Sequence, residues 1–320
     1  MNHRAFTFID KTVFKNGNLL FFFFIIACLL SRSNSDFFFI DILGQLGFQI
    51  VIGGVILFFI LLFLKRFWAS VICVFICVLF SADILLSCNH CKDSIIDELQ
   101  IRNKIRLMTF NISYTNPVSN FENIKEMILS ENPDVIQFQE ISPKMLNEIK
   151  SLKSVFPYST NLDKPLDIFD SVILSKHPLI NSRTEDNKAV LTTLNLNETK
   201  INLVGIHLLP GGTQEHFNLA LGQVDYLKTL INNINENVIL IGDLNMTSTS
   251  RRFSKFLRET NLYTVTSYTK PTSTWPAFLP NFLGIQLEHV LFSDNFKLIN
   301  KKNANNFGSD HRPLIVDLNY

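Results

Sequence analysis

Cysteine is missing from the C-terminal two thirds of this chain. All of its cysteines lie in the first hundred residues, at Cys28, Cys73, Cys77, Cys88 and Cys91. A domain exposed to an oxidising compartment either pairs its cysteines or lacks them, so this absence suits an extracytoplasmic location. The Cys88-x-x-Cys91 spacing fits either a pair near a helix end, disulfide-linked or free, or a metal site. No second pair of ligands accompanies it, which favours the first interpretation.

An excess of charge is also missing. The chain carries a net charge of +1 over 320 residues, and residues 101–320 hold 22 Lys and Arg against 21 Asp and Glu. Proteins that grip a nucleic-acid backbone without sequence preference carry a clear basic excess. Long duplex DNA is therefore not favoured as a substrate, although a local basic patch is compatible with this balance. The motifs of several enzyme classes are absent too: no serine elbow, P-loop, Rossmann glycine pattern or HExxH motif occurs.

Long apolar runs, by contrast, dominate the first ninety residues. They occupy residues 19–30, 50–64 and 67–87. Because a helix needs about 20 mostly apolar residues to cross a bilayer, we predict three transmembrane helices near 12–31, 44–64 and 67–87, within a membrane region at 1–90. A cleaved signal peptide would explain the first run alone, but two further apolar segments follow it.

The basic residues of this region predict its orientation. Arg4, Lys11 and Lys15 precede the first run, and Lys65–Arg66 separates the second from the third. Basic residues flanking membrane helices stay in the cytoplasm, so three spans place the C-terminal part outside. We expect a multi-pass membrane protein that has the lipid bilayer as a partner, and we predict no protein partner. A linker at 91–104 would lead into a domain at 105–320.

From Ile105 onward, short strand patterns alternate with helical ones. Strands are predicted at 105–112, 135–139, 170–174, 189–195, 200–207, 238–242, 287–292 and 314–318. Helical spacing predicts helices over 214–234 and 251–259, and a capping box formed by Ser119 and Glu122 predicts a helix ending near Leu129. This order is typical of an α/β domain.

Several of these strands end at a polar residue beside a loop, which is where a site can be assembled. The residues are Asn111, Glu140, His207, Asp243 with Asn245, Glu288 with His289, and Asp310 with His311. Taken singly, each has an ordinary structural explanation: a turn-forming Asn, a solvated carboxylate at a strand end, or a structural histidine. Taken as a series, they predict one shared site.

In order and spacing, the motifs around these residues resemble the endonuclease/exonuclease/phosphatase superfamily, the fold of pancreatic deoxyribonuclease and exonuclease III. The matching segments are MTFNI (108–112), VIQFQE (135–140), SVILSKHPL (171–179), LVGIHL (203–208), LIGDLNMTSTS (240–250), LEHVLFSD (287–294) and GSDHRPL (308–314). The resemblance implies a four-layered α/β sandwich, with two mixed β-sheets packed together and helices outside. The apolar N-terminus and TWP (274–276) are similar to a membrane-anchored bacterial branch, which implies the periplasmic side of an inner membrane.

The resemblance also implies an activity: metal-dependent hydrolysis of a phosphodiester or phosphomonoester by water, with Mg²⁺ or Mn²⁺ as cofactor. Nucleic acid, phospholipid or sugar phosphate would be the substrate. Glu140, Asn111 and Asp310 would serve the metal. The implied catalytic set is His207, Asp243, Asn245, Glu288, Asp310 and His311, in which Asp243 orients the water and Asn245 and His207 contact the phosphate.

Glu288 is the clearest departure from the family pattern, which usually has Asp at this position to hold the histidine that corresponds to His311. Glu is longer by one methylene, and a misplacement of about 1 Å can cost about 10²-fold in rate. The alternative interpretation is therefore a catalytically weakened or inactive member of the family that acts as a binding or scaffold protein.

Overall fold

The structure, a computed structural model, describes residues 3–87, 90, 103–185, 189–196, 199–234, 237–264 and 272–320, with side chains from residue 17 onward. The chain forms two compact units. The first comprises residues 1–89 together with 248–254, and the second comprises 90–247 together with 255–320. Cys88, Cys91 and most of the predicted linker lie outside the described residues.

Helices are the regular elements of the first unit among its described residues. Its helices are α1 (His3–Ser31), α2 (Phe38–Gln45), α3 (Gly47–Phe63) and α4 (Phe67–Ser87). Apolar side chains of α1, α3 and α4, among them Phe24, Leu61 and Phe80, pack into one cluster. The charged group in α4, Asp83, forms an ion pair with Arg32, whose Nε lies 2.5 Å from the carboxylate.

Only α4, among the described helices, is by itself long and apolar enough to cross a bilayer. Its bounds coincide with the predicted segment 67–87. The predicted helix at 44–64 is instead divided at Leu46, and α2 and α3 meet the criterion only as a pair bent by 71°. Gly44 and Gly47 flank this break, and glycine destabilises a helix interior by roughly 1 kcal/mol relative to Ala. The apolar part of α1 is shorter than a span, so the count of three spans stays a prediction.

The second unit contains two mixed β-sheets flanked by helices. Its strands are β1 (Lys104–Asn111), β2 (Val135–Gln139), β3 (Tyr158–Ser159), β4 (Ser171–Ser175), β5 (Leu179–Thr184), β6 (Val190–Leu196), β7 (Thr199–His207), β8 (Val238–Asp243), β9 (Glu288–Phe292), β10 (Lys297–Asn303) and β11 (Leu314–Asn319). The first sheet has the order β10-β11-β1-β2-β4-β3, and the second has the order β5-β6-β7-β8-β9. The pairs β1–β2 and β7–β8 are parallel, and the other pairs are antiparallel.

The two sheets share an apolar core because successive residues of a strand point to opposite faces. In β1, Leu107 belongs to a cluster with Ile239 and Ile241 of the second sheet. Its neighbour Met108 belongs to a different cluster that includes Ile124 and other helical residues. The two-sheet arrangement with flanking helices confirms the predicted α/β class.

The remaining helices are α5 (Phe121–Glu131), α6 (Pro143–Ile149), α7 (Gln214–Asn232) and α8 (Arg251–Thr260). α5 connects the parallel strands β1 and β2, and α7 connects β7 and β8, because parallel neighbours need a crossover. The predicted capping box at Ser119 is wrong: α5 begins at Phe121 after a short 3-10 turn, and its N-terminus has no side-chain cap. Sequence analysis missed α6, although Ser142 and Pro143 are a typical helix start.

Candidate active site

Three of the predicted site residues lie side by side at the end of the second sheet. In the strand register, His207 pairs with Asp243, and Asp243 pairs with Glu288. All three side chains are buried. A single row across β7, β8 and β9 therefore carries an imidazole and two carboxyl groups.

The first sheet brings two further predicted residues to the same place. Asn111 ends β1, and Glu140 directly follows β2. The Asn111 side-chain amide donates to Glu140 Oε1 at 2.8 Å and to Asp243 Oδ2 at 3.2 Å. Asn111 thus joins the two sheets through their carboxylates, and it brings Glu140 and Asp243 to one place.

Glu140 has an unusual backbone. Its φ is +53°, a left-handed conformation that residues with a Cβ other than Asn and Asp seldom adopt. Such strain, of order 1–3 kcal/mol, is characteristic of functional sites. It turns the chain directly after the buried strand β2, so that the Glu140 side chain is partly exposed while that strand is fully buried.

Gly242, directly before Asp243, allows its strand to lie close to the neighbouring strand. Its φ is +145°, and a Cβ built there would lie 1.9 Å from the carbonyl oxygen of Ile206. The same carbonyl oxygen accepts a hydrogen bond of 3.0 Å from Gln137 Nε2, which reaches across from β2. Only glycine fits at position 242, because any side chain would push apart the strands that carry His207 and Asp243.

Glu288 and His311 form a buried pair, despite the departure from the family pattern. His311 Nδ1 lies 2.6 Å from Glu288 Oε1, so the longer side chain does reach the histidine. Burial alone would lower the pKa of His311, but the carboxylate at this distance raises it to about 10. For the carboxyl group of Glu288, burial acts in the opposite direction and raises the pKa. The neighbouring carboxylate therefore favours the protonated form of the imidazole, whose Nδ1 donates to Glu288 Oε1.

Asp310 lies at the outer edge of the site. Its side chain is exposed, and its Oδ2 accepts a hydrogen bond of 3.2 Å from the indole nitrogen of Trp275. Its described contacts are with the Trp275 loop, and none joins it to Glu140 or Asn111. Of the three predicted metal residues, the structure brings Asn111 and Glu140 into contact with each other. Asp310 is the sequence neighbour of His311 and has no described contact with either of them.

Two further residues of the predicted set have polar groups near the cluster. His207 is buried, neither ring nitrogen has a hydrogen-bond partner among the described residues, and its Nε2 lies 3.7 Å from Glu140 Oε1. Asn245 has a left-handed φ of +48°. Its backbone N–H donates to Asp243 Oδ1 at 2.9 Å, and its side-chain amide donates to the carbonyl oxygen of Leu208 at 2.8 Å.

Sequence analysis missed the residues that hold this cluster in place. Ser309 donates through its hydroxyl to the carbonyl oxygen of Asn111 and accepts from the backbone N–H of His311. The hydroxyl of Thr274 accepts from the backbone N–H groups of Leu287 and Glu288. Both hydroxyls lie inside the segments GSDHRPL and TWP, but Asn111 is 198 residues from Ser309, and Leu287 and Glu288 are 13 and 14 residues from Thr274.

His289 is structural. Burial lowers its pKa to about 4, so the ring is neutral at physiological pH. Its Nε2 then donates to the carbonyl oxygen of Met246 at 2.8 Å, while Nδ1 accepts from Gln286. This arrangement anchors the segment that follows Asn245.

The donor set around Glu140 fits a hard divalent cation. Glu140 and Asp243 share one amide donor, and no Lys or Arg of the described chain pairs with either carboxylate. Carboxylate oxygens are ligands that Mg²⁺ and Mn²⁺ prefer. Asn111 turns its amide nitrogen toward both carboxylates, while its Oδ1 accepts from the backbone N–H of Ser113 at 3.1 Å, so its role is to position them. The cluster of Asp243, Glu288 and His311, with ligand atoms within 4.8 Å of one another, is a second candidate for the cation, because Glu288 Oε1 is engaged by His311 while Glu288 Oε2 has no hydrogen-bond partner among the described residues.

Comparison with known proteins gives a consistent result. Residues 108–311 match the model of the Endonuclease/Exonuclease/phosphatase family. No curated protein matches the chain significantly.

Several solved structures share the fold. TDP2 of D. rerio carrying 14 humanizing mutations has a TM-score of 0.55 at 14% identity, covering 68% of this chain and 99% of that one. An endonuclease/exonuclease/phosphatase from Beutenbergia cavernae has a TM-score of 0.51 at 16% identity, covering 68% and 72%. Beta toxin from Staphylococcus aureus has a TM-score of 0.50 at 18% identity, covering 66% and 99%.

The match to the family model spans β1 to His311, and it therefore includes every residue that the structure brings together at the ends of the two sheets. From the fold, the cluster and this match, the chain belongs to the endonuclease/exonuclease/phosphatase family, whose members hydrolyse phosphate esters.

Proposed function

We propose that this protein is a divalent-metal-dependent phosphoesterase that hydrolyses a phosphodiester or phosphomonoester by attack of water. The observation that carries the proposal is the pair of carboxylates, Glu140 and Asp243, which share the amide of Asn111 and have no Lys or Arg partner in the described chain. Two adjacent carboxylates repel each other unless a cation lies between or beside them. The ring of His311 lies 3.9 Å from Asp243 Oδ2 and offsets part of that carboxylate's charge, so the arrangement favours a bound cation at Glu140.

Glu140 would hold the metal, Mg²⁺ or Mn²⁺, Asn111 would support it by fixing the Glu140 carboxylate, and Asp310 would take part from the outer edge. When bound, the ion supplies positive charge against the negative charge that develops on the phosphate oxygens. Asn111 and Glu140 are held at the ends of the central strands β1 and β2. A preorganised site needs rigid support of this kind.

The other side chains act on the water and the phosphate. Asp243, buried and fixed by the backbone N–H of Asn245, accepts a hydrogen bond from the attacking water and orients it. His207, with both ring nitrogens unpartnered among the described residues, binds a phosphate oxygen, and Asn245 binds another. His311, protonated through its pairing with Glu288, donates to the phosphate and stabilises the charge of the transition state.

The proposal includes a location. α4 is apolar enough to cross a bilayer, and the basic groups Arg4, Lys11, Lys15 and Lys65–Arg66 favour a cytoplasmic N-terminus. We place the protein in a bacterial inner membrane as a multi-pass protein with the phosphoesterase domain on the periplasmic side.

A scaffold function is the second candidate. Its support in the sequence is Glu288, and the 2.6 Å contact with His311 weakens that support. Calorimetry separates the two candidates, because a scaffold has no need to bind Mg²⁺ at Glu140.

The direct test compares the full chain in detergent with its Asp243→Asn variant on bis(p-nitrophenyl) phosphate and Mg²⁺. We expect the variant to be about 10²- to 10⁴-fold slower, as for loss of a positioned acid–base group. Asp225→Asn on α7, where the side chain is 73% exposed, is the matched control. Equal rates for the wild type and Asp243→Asn would overturn the mechanism, and a rate that EDTA leaves unchanged would overturn the metal dependence.

A further inference from the structure

Exposed apolar side chains in the second unit are concentrated around the proposed active site. Eight large apolar residues of its described part are exposed: Tyr114, Leu129, Tyr158, Ile168, Leu219, Trp275, Phe278 and Phe282. We call Tyr114, Ile168, Trp275, Phe278 and Phe282 the apolar rim. Single exposed apolar residues are normal on a protein surface, but a cluster beside a site is informative.

Three contacts place the apolar rim at the site. The backbone nitrogen of Tyr114 lies 3.5 Å from Glu140 Oε2. Ile168 precedes Phe169, whose ring lies 5.6 Å from the ring of His207. The indole nitrogen of Trp275 donates to Asp310. Each rim segment thus touches a different member of the proposed machinery.

The loop that carries Phe278 and Phe282 is firmly held. The guanidinium of Arg312 donates to the carbonyl oxygens of Ala277 and Leu279 at 2.5 and 2.6 Å. The backbone N–H of Ala277 donates to the carbonyl oxygen of Asp310 at 2.7 Å. Phe278 is nevertheless 82% exposed and Phe282 is 61% exposed. The loop is therefore held in a conformation that presents phenyl rings to the surroundings.

We propose that the apolar rim contacts the surface of a lipid bilayer and that the phosphate ester cleaved by this site is a membrane lipid. The proposal rests on the proposed function and names its substrate class. Transfer of phenyl and indole rings from water to the bilayer interface lowers their free energy. The same polypeptide carries α4, a helix apolar enough to cross a bilayer, so such a surface is available to it.

Charge favours lipid over polynucleotide. Binding of a nucleic-acid backbone draws on Lys and Arg, and residues 101–320 are nearly neutral. A lipid presents one phosphate beside an apolar layer, which matches a buried polar site inside an apolar rim. Base stacking on the same rings is the competing use, and the test below separates the two.

The first experiment uses the full chain reconstituted in vesicles of phosphatidylcholine, phosphatidylethanolamine and phosphatidylglycerol. The double variant Phe278→Ser/Phe282→Ser should lower the ratio of the lipid rate to the bis(p-nitrophenyl) phosphate rate by about tenfold or more. Leu219→Ser on α7, also an exposed apolar position, is the control and should leave the ratio unchanged. An unchanged ratio in the double variant overturns the proposal. Cleavage of the soluble ester without cleavage of any lipid also overturns it. So does a double variant that cleaves a single-stranded oligonucleotide more slowly than the wild type but cleaves lipid at an unchanged rate.

A second measurement does not depend on activity. The chain has two tryptophans, Trp68 and Trp275, so Trp68→Phe leaves the rim residue as the sole reporter. In vesicles that contain brominated phosphatidylcholine, Trp275 emission should fall about twofold relative to unbrominated vesicles, and the Phe278→Ser/Phe282→Ser changes should abolish this quenching. Unquenched emission overturns the proposal even if the enzyme is active. Quenching in a protein that cleaves no ester would overturn the proposed function and leave the rim contact standing.

Discussion

Glu140 and Glu288 are both glutamates at strand ends, yet their surroundings differ. Glu140 follows β2 in a left-handed conformation, is partly exposed, and accepts from an amide. Glu288 begins β9, is fully buried, and is bonded to His311. A carboxylate that is partly open and has no Lys or Arg partner can take a cation. A buried carboxylate paired with a histidine sets the charge and direction of that ring.

The largest expected effect concerns Glu140, the partly exposed glutamate. Glu140→Gln removes the charge while keeping the shape, so it should weaken Mg²⁺ binding by about 100-fold or more. Isothermal calorimetry on the full chain in detergent measures this, with Glu122→Gln, a side chain 73% exposed on α5, as the control. Unaltered Mg²⁺ affinity in Glu140→Gln would mean that the cation, if any, binds elsewhere, and the Asp243, Glu288 and His311 cluster would be next to test.

Substitution of Glu288, the glutamate bonded to His311, should change the hydrolysis rate and the pKa of that histidine. Glu288→Gln should slow hydrolysis of bis(p-nitrophenyl) phosphate by about 10- to 100-fold, because it removes the negative charge that favours the protonated form of His311. In metal-free protein, the pKa of His311 should fall from about 10 toward the ordinary value of about 6.5. NMR titration of the imidazole ring protons reports the shift, with the exposed His216 as internal reference. A His311 pKa that does not move would show that Glu288 is not its charge partner.

A smaller effect tests how Glu288 is held. Thr274→Val is nearly isosteric, but it leaves the backbone N–H groups of Leu287 and Glu288 without their acceptor. A buried donor without a partner costs about 1–3 kcal/mol, which lowers Tm by roughly 2–10 °C for a domain of this size. Thermal unfolding followed by near-UV circular dichroism measures the change. Thr193→Val, whose hydroxyl contacts one side chain at 3.4 Å, should move Tm less, and equal shifts would contradict the assigned role.

The smallest effect concerns a carboxylate that serves structure alone. Asp317 lies within 2.6 Å of Arg106 and 3.1 Å of Lys104. Burial alone would raise its pKa, but these two cations lower it overall. A lowered folded pKa stabilises the protein above the unfolded value of about 3.9 and loses that contribution as pH falls through the folded value.

Asp317→Asn should therefore destabilise the protein by about 1 kcal/mol at pH 7, since both partners are partly exposed. The difference from the wild type should shrink below about pH 4. Chemical denaturation at both pH values measures it. A difference that stays constant with pH would indicate lost packing rather than a lost ion pair.

Most of the α/β domain was predictable because its strands are short, apolar and bounded by polar residues. The bounds of β2 were predicted without error, and those of β8 and β11 to within one residue. The edge strands β5 and β10 were missed, because strands with one solvated face, such as LINSRT and KLINKKN, lack the apolar runs that reveal central strands. The bend at Leu46 was missed because hydropathy reports apolar length and not direction.

The sequence by itself determined which polar residues end the central strands, and their order identified the family. Only the tertiary structure decided that Asn111 bridges Glu140 and Asp243, that Glu288 reaches His311, and that three segments bearing exposed apolar residues contact the site. The reason is physical. Strand patterns depend on local alternation and can be recognised within a few residues, whereas these contacts join groups from 23 to 132 residues apart, and their distances are set by how the two sheets pack.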